Sequence, residues 1–292
     1  MSPSRPTPRF LTGGARLAGV LGWPVAHSRS PRLHGYWLAE HGIDGAYLPL
    51  AVPPYALGAV LKALPRMGFR GANLTLPHKE AALAAADRAT PEARRIGAAN
   101  TLVFDDAGRI EARNTDGFGF LESLKEGAPG WRAATGPAVV IGAGGAARAI
   151  LVALADAGVP EIRLVNRTKE RAERLRQELG GPIKVWDWAR RAEALGEAAL
   201  LVNSTTQGMT GSPPLDLALD RLPASAVVTD IVYAPLATPL LEAARARGNR
   251  AVDGLGMLLH QARPGFAAWF GVEPRVTPAL REFVIGDEAA AG

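Results

Sequence analysis

Residues 138–148 read Ala-Val-Val-Ile-Gly-Ala-Gly-Gly-Ala-Ala-Arg: an apolar run, a glycine-rich turn and small helix-forming residues. The turn carries the pattern G-x-G-x-x-A, which starts at Gly142. In such a strand–turn–helix the first glycine permits a tight turn, and the second lets the backbone approach a pyrophosphate at the helix N-terminus. A second strand ends at Val165, so the stretch predicts a nucleotide-binding βαβ unit rather than a glycine-rich turn without a ligand. The residues expected to line this site are Gly142, Ala143, Gly144, Gly145 and Ala146.

The residues after the second strand indicate which nucleotide binds. An NAD site places an acid there for the ribose 2′-hydroxyl, whereas this chain has Asn166-Arg167-Thr168, with Arg171 one turn later. Two guanidinium groups, a hydroxyl and the helix N-terminus would surround a 2′-phosphate, and each charged hydrogen bond contributes about 1.5–3 kcal/mol. An ordinary arginine-rich helix start is the alternative, but arginine in a first turn opposes the helix dipole unless an anion is bound. We therefore predict NADP(H) as the cofactor.

Outside this unit, strand-like and helix-like segments alternate along the chain, which predicts an α/β protein with mainly parallel sheets. The length of 292 residues suggests two domains, at roughly 150 residues each. Strands are expected at 16–21, 47–52, 71–76, 138–141, 161–165, 183–185, 199–203 and 227–231, and a hairpin at 101–104 and 109–112. Helices are expected at 31–41, 54–67, 77–87, 145–157, 168–179, 239–247, 255–270 and 278–284.

Composition argues against several classes of protein. The chain has no cysteine, which rules out disulfides, thiolate nucleophiles and cysteine-ligated metal clusters. The five histidines show no metal-binding spacing, and the net charge of +5 is diffuse, so we expect neither a metal nor nucleic acid. No apolar run reaches the ~20 residues of a membrane span, so we expect a cytoplasmic protein without membrane contact. Residues 1–16, rich in Pro, Ser and Arg, are expected to be a disordered lead-in.

Two serines follow the first predicted strand. Ser28 and Ser30 lie between that strand and its helix, where two hydroxyls beside free helix N–H groups can hold a carboxylate. Ser30 would equally serve as a plain N-cap, with Pro31 as the first helical residue. Taken alone, these serines favour simple capping.

The segment Gly71-Ala-Asn-Leu-Thr-Leu-Pro-His-Lys79 places polar residues at a strand end and a lysine at a helix start. Asn73 and Thr75 alternate with apolar residues and therefore share one face. Pro77 as the first helical residue puts Lys79 in the first turn, where the helix dipole is unfavourable to a structural lysine. Only five of the 33 basic residues are lysines, and arginine cannot exchange a proton. Lys79 is thus a candidate catalytic group, with an exposed surface lysine as the alternative.

Six motifs, in this order and at this spacing, resemble those of the shikimate dehydrogenase family. Asn100, Asp116 and Gln261 fall within them, although each alone could be a turn residue, a helix N-cap or a surface residue. The motifs are Ser28-Arg-Ser-Pro31, the segment Gly71 to Lys79, Ala99-Asn-Thr101, Asn114-Thr-Asp-Gly117, Gly142-Ala-Gly-Gly-Ala146 with Asn166-Arg-Thr168, and Asp253-Gly-Leu-Gly-Met257 with Gln261.

The resemblance implies NADP-dependent, reversible reduction of 3-dehydroshikimate to shikimate in the aromatic amino-acid (chorismate) pathway, with Lys79 and Asp116 as the catalytic pair. It implies a substrate-binding and catalytic domain at 1–115 plus 254–292, a Rossmann-like NADP-binding domain at 116–253, a cleft between them, and is compatible with a homodimer. The residues implied around the substrate are Ser28, Ser30, Thr75, Asn100, Asp116, Tyr233 and Gln261. Those implied on the cofactor also include Gly254 and Ile231, which stands where the family frequently has a methionine against the nicotinamide.

Three alternatives remain beside this interpretation. An NAD-preferring quinate/shikimate dehydrogenase would show an acid at position 166 or 167, where this chain has Asn and Arg. A non-catalytic ligand-sensing relative would have lost Lys79 or Asp116, and both are present. A related enzyme that acts on an amino analogue of the substrate stays open.

Overall fold

The computed structural model describes residues 11–286. Contacts divide the chain into two compact units, of which the first takes the residues up to Thr115 and from Gln261 onward, and the second takes Asp116–His260. The sequence-based boundary lies at 253/254, and the contact-based one falls seven residues later, inside a helix. The assignment of 1–115 plus 254–292 to substrate binding and of 116–253 to NADP binding stays a prediction.

The first unit is built on a six-stranded sheet in the order β2-β1-β3-β5-β6-β4. Its strands are β1 (Arg16–Gly22), β2 (Gly45–Ala51), β3 (Phe69–Leu74), β4 (Arg88–Ala89), β5 (Thr101–Phe104) and β6 (Ile110–Arg113). Strand β1 runs parallel to β2 and β3, and β4 runs parallel to β6. The predicted hairpin is confirmed, since β5 pairs antiparallel with β6.

The helices of the first unit start and end differently from the predicted ones. They are α1 (Ser30–Glu40), α2 (Leu57–Ala63), α3 (Lys79–Ala85) and α4 (Pro91–Ile96), with short 3₁₀ turns at Pro54–Ala56 and Pro65–Met67. Ser30 is the first residue of α1 and not its N-cap, because Arg29 precedes it with helical backbone angles. The predicted helix 54–67 is broken into three pieces, and Pro65 opens the last of them because it fits a first turn better than a helix interior.

Helix α3 begins at Lys79, two residues later than predicted. Residues 75–78 form a turn closed by the His78 backbone N–H, which donates to the Thr75 carbonyl over 2.9 Å. Proline is favourable in such a turn and also at the first position of a helix, so Pro77 by itself does not distinguish the two. Lys79 is consequently the first residue of the helix.

The second unit is a doubly wound sheet whose six strands are all parallel. Its strands are β7 (Ala138–Ile141), β8 (Ile162–Val165), β9 (Ile183–Trp186), β10 (Leu200–Asn203), β11 (Val227–Asp230) and β12 (Arg250–Val252). Its helices are α5 (Asp116–Gly127), α6 (Gly145–Asp156), α7 (Lys169–Leu179) and α8 (Pro239–Ala246). The order β12-β11-β10-β7-β8-β9 reverses direction between β7 and β10. This is the Rossmann order, and ligands bind such sheets at that switch point, outside the carboxyl ends of the strands.

Side chains of β7 alternate between two cores, so both faces of this sheet are covered. Val140 packs in one cluster with α5 and α6 residues, and Val139 packs in the other with α8 residues; both are 0% exposed. A continuous apolar run such as 138–141 is what a strand buried on both faces requires. The two cores hold β7 in place, and the glycine-rich turn follows it at its carboxyl end.

The last two helices are α9 (Leu255–Phe270) and α10 (Pro278–Ile285). Residues of α9 from Gln261 onward belong to the first unit. There Phe266 lies 5.3 Å from the Trp37 ring, and the Trp269 indole N–H donates to the Leu102 carbonyl over 2.9 Å. The C-terminal part of α9 thus completes the core of the N-terminal sheet.

The predicted lead-in 1–16 is wrong for the part that the structure describes, and residues 1–10 lie outside it. Arg16 opens β1, and Thr12 donates a hydrogen bond to the Asp44 carboxylate. A polar composition predicts disorder only where no neighbouring element supplies hydrogen-bond partners. Within residues 11–286 no helix is long and apolar enough to cross a membrane.

Candidate active site

Both serines of the first predicted site stand at the start of α1. The Ser30 backbone N–H donates to Ser28 Oγ over 3.3 Å, and the N-cap residue, Arg29, makes no side-chain capping hydrogen bond. The Ser30 side chain is buried and hydrogen-bonded to the hydroxyl of Tyr47 on β2. Burial raises the pKa of Tyr47 well above its usual range, with this hydrogen bond opposing the shift, so the hydroxyl stays protonated.

A chain of buried hydrogen bonds runs from β2 across β3 to β5. The Tyr47 hydroxyl donates to Asn73 Oδ1 over 2.6 Å. Asn73 Nδ2 then donates to the Asn100 carbonyl and to Thr101 Oγ1, both over 3.0 Å. Tyr47 was missed by the sequence analysis because an aromatic residue in a strand is indistinguishable from core; Asn73 was noticed for its face but not assigned.

Asn100 and Gln261, predicted from separate motifs, lie together. Asn100 Nδ2 donates to Gln261 Oε1 over 3.2 Å and to Thr115 Oγ1 over 3.0 Å. Thr115 Oγ1 donates to the Gln261 carbonyl over 2.8 Å, and its N–H donates to Asn100 Oδ1 over 2.9 Å. Gln261 is therefore not an ordinary surface residue, and Asn100 is more than a turn residue. Thr115, the unassigned residue between Asn114 and Asp116, connects the two.

Lys79 is partly exposed at the first position of α3. Its backbone carbonyl accepts a hydrogen bond of 2.8 Å from the Ala99 N–H, which ties this helix start to the segment that carries Asn100. Thr75 lies four residues earlier, where its N–H donates to the Leu21 carbonyl over 2.9 Å. The first unit thus brings Thr75, Lys79 and Asn100 to the same end of the sheet.

In the second unit, Asp116 is the first residue of α5 and is buried. It is part of the helix rather than the N-cap that its sequence context suggests. A Cβ on its neighbour Gly117 would lie 3.1 Å from the Ala149 carbonyl oxygen and 3.1 Å from Ala153 Cβ. The glycine lets α5 approach α6 closely, and this packing fixes the position of Asp116.

The glycine-rich turn has the geometry of a pyrophosphate cradle. Gly142 has a φ of +111°, and a Cβ there would lie 2.7 Å from Ser204 Oγ. Gly144 and Gly145 are exposed, and a Cβ on either would meet nothing within 4 Å. Gly144 precedes α6 without a side-chain cap, and the first turn of α6 has no acid. The free N–H groups of this helix start fit a phosphate anion.

Two arginines, Arg167 and Arg171, lie at the start of α7. The side chains of Arg167 and Arg171 make neither an ion pair nor a hydrogen bond to any residue in the range 11–286. Arg148 and Arg176, in contrast, pair with glutamates at 2.6 Å and 2.8 Å. Asn166 Nδ2 donates to the Thr168 carbonyl over 2.7 Å and so shapes the turn. The uncompensated charge fits a phosphate group on the nucleotide ribose.

Ile231 and Gly254 also lie together in the second unit. A Cβ on Gly254 would lie 2.3 Å from the Ile231 carbonyl oxygen, so only glycine fits there. The Gly254 N–H donates to the Val232 carbonyl over 3.2 Å. Tyr233, the next residue, is partly exposed. Within the described part of the chain no group of three or more His, Cys, Asp or Glu residues is placed to hold a metal ion.

Comparison with known proteins assigns the chain to a family. The model of the shikimate dehydrogenase substrate binding domain matches residues 20–102, and the model of shikimate / quinate 5-dehydrogenase matches residues 129–210. The chain belongs to the shikimate dehydrogenase family. The NADP(+) shikimate dehydrogenase of Paramagnetospirillum magneticum is 65% identical to it over 275 residues, which cover 94% of this chain and all of the relative.

Solved members of the shikimate dehydrogenase family share the whole fold. The Thermus thermophilus shikimate 5-dehydrogenase, solved with NADP(H) and shikimate, is 42% identical with a TM-score of 0.82, covering 93% of this chain and 98% of that one. The Corynebacterium glutamicum quinate dehydrogenase, solved with NAD, is 31% identical with a TM-score of 0.86, covering 93% and 99%. The family thus includes members with either cofactor, so the residues at the start of α7 bear on the choice.

Proposed function

We propose that this protein is a shikimate dehydrogenase that reduces 3-dehydroshikimate to shikimate with NADPH, and runs the reverse reaction, in the chorismate pathway. The observation that carries this is the full-length match, at 65% identity, to an NADP-dependent shikimate dehydrogenase. The unpaired Arg167 and Arg171 support the phosphorylated nucleotide.

In this proposal the second unit holds the cofactor. The turn at Gly142–Ala146 and the start of α6 bind the pyrophosphate, while Asn166, Arg167, Thr168 and Arg171 surround the 2′-phosphate. Ile231 and Gly254 border the nicotinamide, and NADPH, when bound, supplies a hydride to the ring carbonyl carbon of the substrate.

Lys79 is the acid of the reduction in this proposal. Its ammonium stabilises the negative charge that grows on the carbonyl oxygen and then gives that oxygen a proton from Nζ. Asp116 orients the ammonium and binds a neighbouring substrate hydroxyl, and in the reverse direction Lys79 accepts the proton. General acid–base help of this kind is worth about 10²–10⁴-fold in rate.

Substrate recognition is assigned to the polar residues at one end of the first sheet. The hydroxyls of Ser28 and Ser30 are suited to the carboxylate, because they stand beside the N-terminus of α1. Thr75, Asn100 and Gln261 are assigned to the ring hydroxyls, and Tyr233 is also assigned to the substrate. The Asn100–Gln261 hydrogen bond of 3.2 Å supports a joint role for these two amides.

The test is steady-state reduction of 3-dehydroshikimate with NADPH and NADH in parallel, for the wild type and for the double variant Arg167→Ala/Arg171→Ala. The wild type should prefer NADPH. Loss of two charged hydrogen bonds should raise the KM for NADPH by at least about 10-fold and leave NADH turnover unchanged. Arg174→Ala, an exposed arginine on the same helix, is the matched control and should leave both cofactors unaffected.

Each other outcome points elsewhere. Turnover with NADH alone would contradict the phosphate assignment and favour a quinate/shikimate dehydrogenase that uses NAD. Shikimate binding without turnover by either cofactor would favour a ligand sensor or an enzyme for an amino analogue. The homodimer, the cytoplasmic location and the absence of nucleic-acid or membrane partners stay predictions.

A further inference from the structure

Asp230, the last residue of β11, is a carboxylate with no exposed surface. Its Oδ1 accepts hydrogen bonds from the Val232 N–H over 3.0 Å and from Asn203 Nδ2 over 3.1 Å. Its Oδ2 accepts one from the Thr238 hydroxyl over 2.8 Å. Burial raises the pKa of Asp230, and these three hydrogen bonds oppose the shift. A carboxylate buried away from water is costly in free energy unless donors satisfy its oxygens, so Asp230 depends on all three of these hydrogen bonds.

Two of the three donors, Val232 and Thr238, hold the chain segment between β11 and α8 at both of its ends. Val232 lies at the start of this segment, and Thr238 lies at its end, where its Oγ1 also accepts from the Leu241 N–H and caps α8. The segment between them carries Tyr233, and Ile231 lies between Asp230 and Val232. The Asp230 side chain therefore determines the path of the backbone that presents both residues.

Asn203, the last residue of the neighbouring strand β10, holds the turn at residues 204–207 in a similar way. Its Oδ1 accepts from the Thr205 N–H over 3.1 Å and from the Thr205 hydroxyl over 2.7 Å, while Nδ2 donates to the Gln207 carbonyl over 3.0 Å. Ser204 Oγ in this turn donates to the Ile141 carbonyl over 2.7 Å. The turn thereby lies directly against Gly142 of the pyrophosphate cradle.

The two segments are also joined to each other. The Thr210 N–H, beyond the turn at 204–207, donates to the Ala234 carbonyl over 2.9 Å. The Asn203–Asp230 hydrogen bond lies at the root of both segments, on adjacent strands at the carboxyl edge of the sheet. Displacement of either side chain would therefore be transmitted to both segments.

We propose that Asn203 and Asp230 are a positioning pair that holds Ile231, Tyr233 and the turn beside Gly142 in the geometry needed for hydride transfer. This inference rests on the proposed function, because it assumes that these residues border the nicotinamide and the substrate. Neither side chain of the pair acts on the reacting atoms. A displacement of about 1 Å at reacting groups costs about 10²-fold in rate, which is the effect expected when the pair is lost.

The experiment compares Asp230→Ala, Asn203→Ala and the conservative Asp230→Asn with a matched control. The control is Asn249→Ala, a buried amide in the same unit whose Nδ2 donates to the carbonyls of Pro223, Ala224 and Ala226, before β11. The readouts are amide hydrogen exchange of residues 204–207 and 232–234 in the protein without ligand, the Kd for NADPH from its fluorescence, and kcat and KM.

Loss of the pair should speed exchange in both segments, raise the Kd for NADPH several-fold and lower kcat by about 10²-fold, with a smaller change in the KM for 3-dehydroshikimate. Asn249→Ala should lower the Tm without these effects. Asp230→Asn should recover most of kcat, because its amide oxygen still accepts from Val232 and Asn203.

The inference is overturned if Asp230→Ala and Asn203→Ala behave like Asn249→Ala, with a lowered Tm but unchanged exchange and kcat. If Asp230→Ala does not fold, Asn203→Ala set against Asn249→Ala gives the same comparison. Absence of turnover in the wild type would count against the proposed function instead. Hydrogen exchange and NADPH binding would still decide whether the pair orders both segments.

Discussion

Lys79 stands at the first position of a helix, where the dipole gives a cation no stabilisation. We expect Lys79→Ala to lower kcat by about 10²–10⁴-fold, because the proposed acid of the reaction is lost, while the KM values change only a few-fold. Lys79→Arg should be similarly slow, since a guanidinium keeps the charge but does not exchange its proton. Steady-state kinetics check this. Normal turnover with weak substrate binding in both variants would exclude the catalytic role.

His34 is a residue whose effect depends on pH. Its ring is fully buried, stacks on Tyr47 at 3.9 Å, and has no hydrogen-bond partner for either nitrogen within residues 11–286. Burial lowers its pKa to about 3, and the nearby Asn73 side chain opposes this shift. The unfolded chain takes up a proton below pH 6.5 and the folded protein does not, so stability is lost as the pH falls from about 6.5 toward 3.

We therefore expect His34→Phe to flatten the decline in stability on the acid side. Each pH unit below the unfolded pKa costs about 1.4 kcal/mol, so the wild type should lose about 2 kcal/mol between pH 7 and pH 5 through this residue. Urea unfolding at several pH values measures the slope. His27→Gln, at an exposed histidine, is the control. An equal slope in His34→Phe and the wild type would contradict the assignment.

One chain of side-chain hydrogen bonds joins β2, β3 and β5, although β1 lies between β2 and β3 in the sheet. Tyr47→Phe removes a single hydroxyl and leaves Asn73 Oδ1 and the Ser30 side chain without it. An unsatisfied buried acceptor costs about 1–3 kcal/mol, so the Tm should fall. Because Ser30 and Asn73 lose a common partner, the KM for shikimate should rise while the KM for NADP stays unchanged. A rise in both KM values, measured by varying each substrate in turn, would argue against a local effect.

Glycines in β3 and α2 should respond oppositely to the same substitution. A Cβ on Gly71 would lie 2.0 Å from Trp269 Nε1 and 2.2 Å from the Leu102 carbonyl oxygen, whereas one on Gly58 would meet nothing within 4 Å. Gly71→Ala should therefore prevent α9 from seating on β3 and unfold the first unit. Gly58→Ala should be neutral or stabilise α2 by about 0.5–1 kcal/mol. Near-ultraviolet circular dichroism and Tm report both, and a native-like Gly71→Ala would refute the close packing.

The accuracy with which the sequence predicts a helix or strand depends on the length of the element and on how many independent sequence patterns mark it. The βαβ unit around Gly142 was predicted closely because an apolar run, a glycine pattern and a run of small helix-forming residues agree. Strands β4 and β12 and helix α4 were missed because two to six residues carry too little periodicity. Proline misled the prediction at Pro77, where a turn and a helix start give the same signal.

The candidate site was predictable where a motif marked it. The Asn100–Gln261 contact joins two motifs that stand 161 residues apart, and only the fold shows it. A hydrogen-bond network has no local sequence signature. The roles of Tyr47, Asn203 and Asp230 were therefore not predicted, because each residue lies within or at the end of an ordinary strand pattern. Residues that we assign to ligand contacts were therefore easier to predict than the residues that hold them in place.

At the scale of the whole molecule, one unit is continuous in sequence and the other is not. Residues 116–260 expressed alone should fold cooperatively and bind NADPH, because their sheet and both of its cores lie within that range. Residues 1–115 alone should not fold, since they lack Phe266 and Trp269. Joining 1–115 to 261–292 by a short Gly/Ser linker should restore folding, because Thr115 Oγ1 and the Gln261 carbonyl are only 2.8 Å apart. Cooperative unfolding of 1–115 alone would contradict this dependence.

The discontinuous unit also imposes an order of events on the ribosome. Synthesis runs from the N-terminus at about 5–20 residues per second, so all of residues 116–260 have left the ribosome before the residues from Gln261 onward have done so. Until then, Phe266 and Trp269 do not cover the N-terminal sheet. The surface that they later bury stays accessible to chaperones and to other nascent chains. In the proposed assignment of the two units, a growing chain can bind its nucleotide before it can bind its substrate, and slow emergence of the residues after 260 would prolong the interval in which aggregation competes with folding.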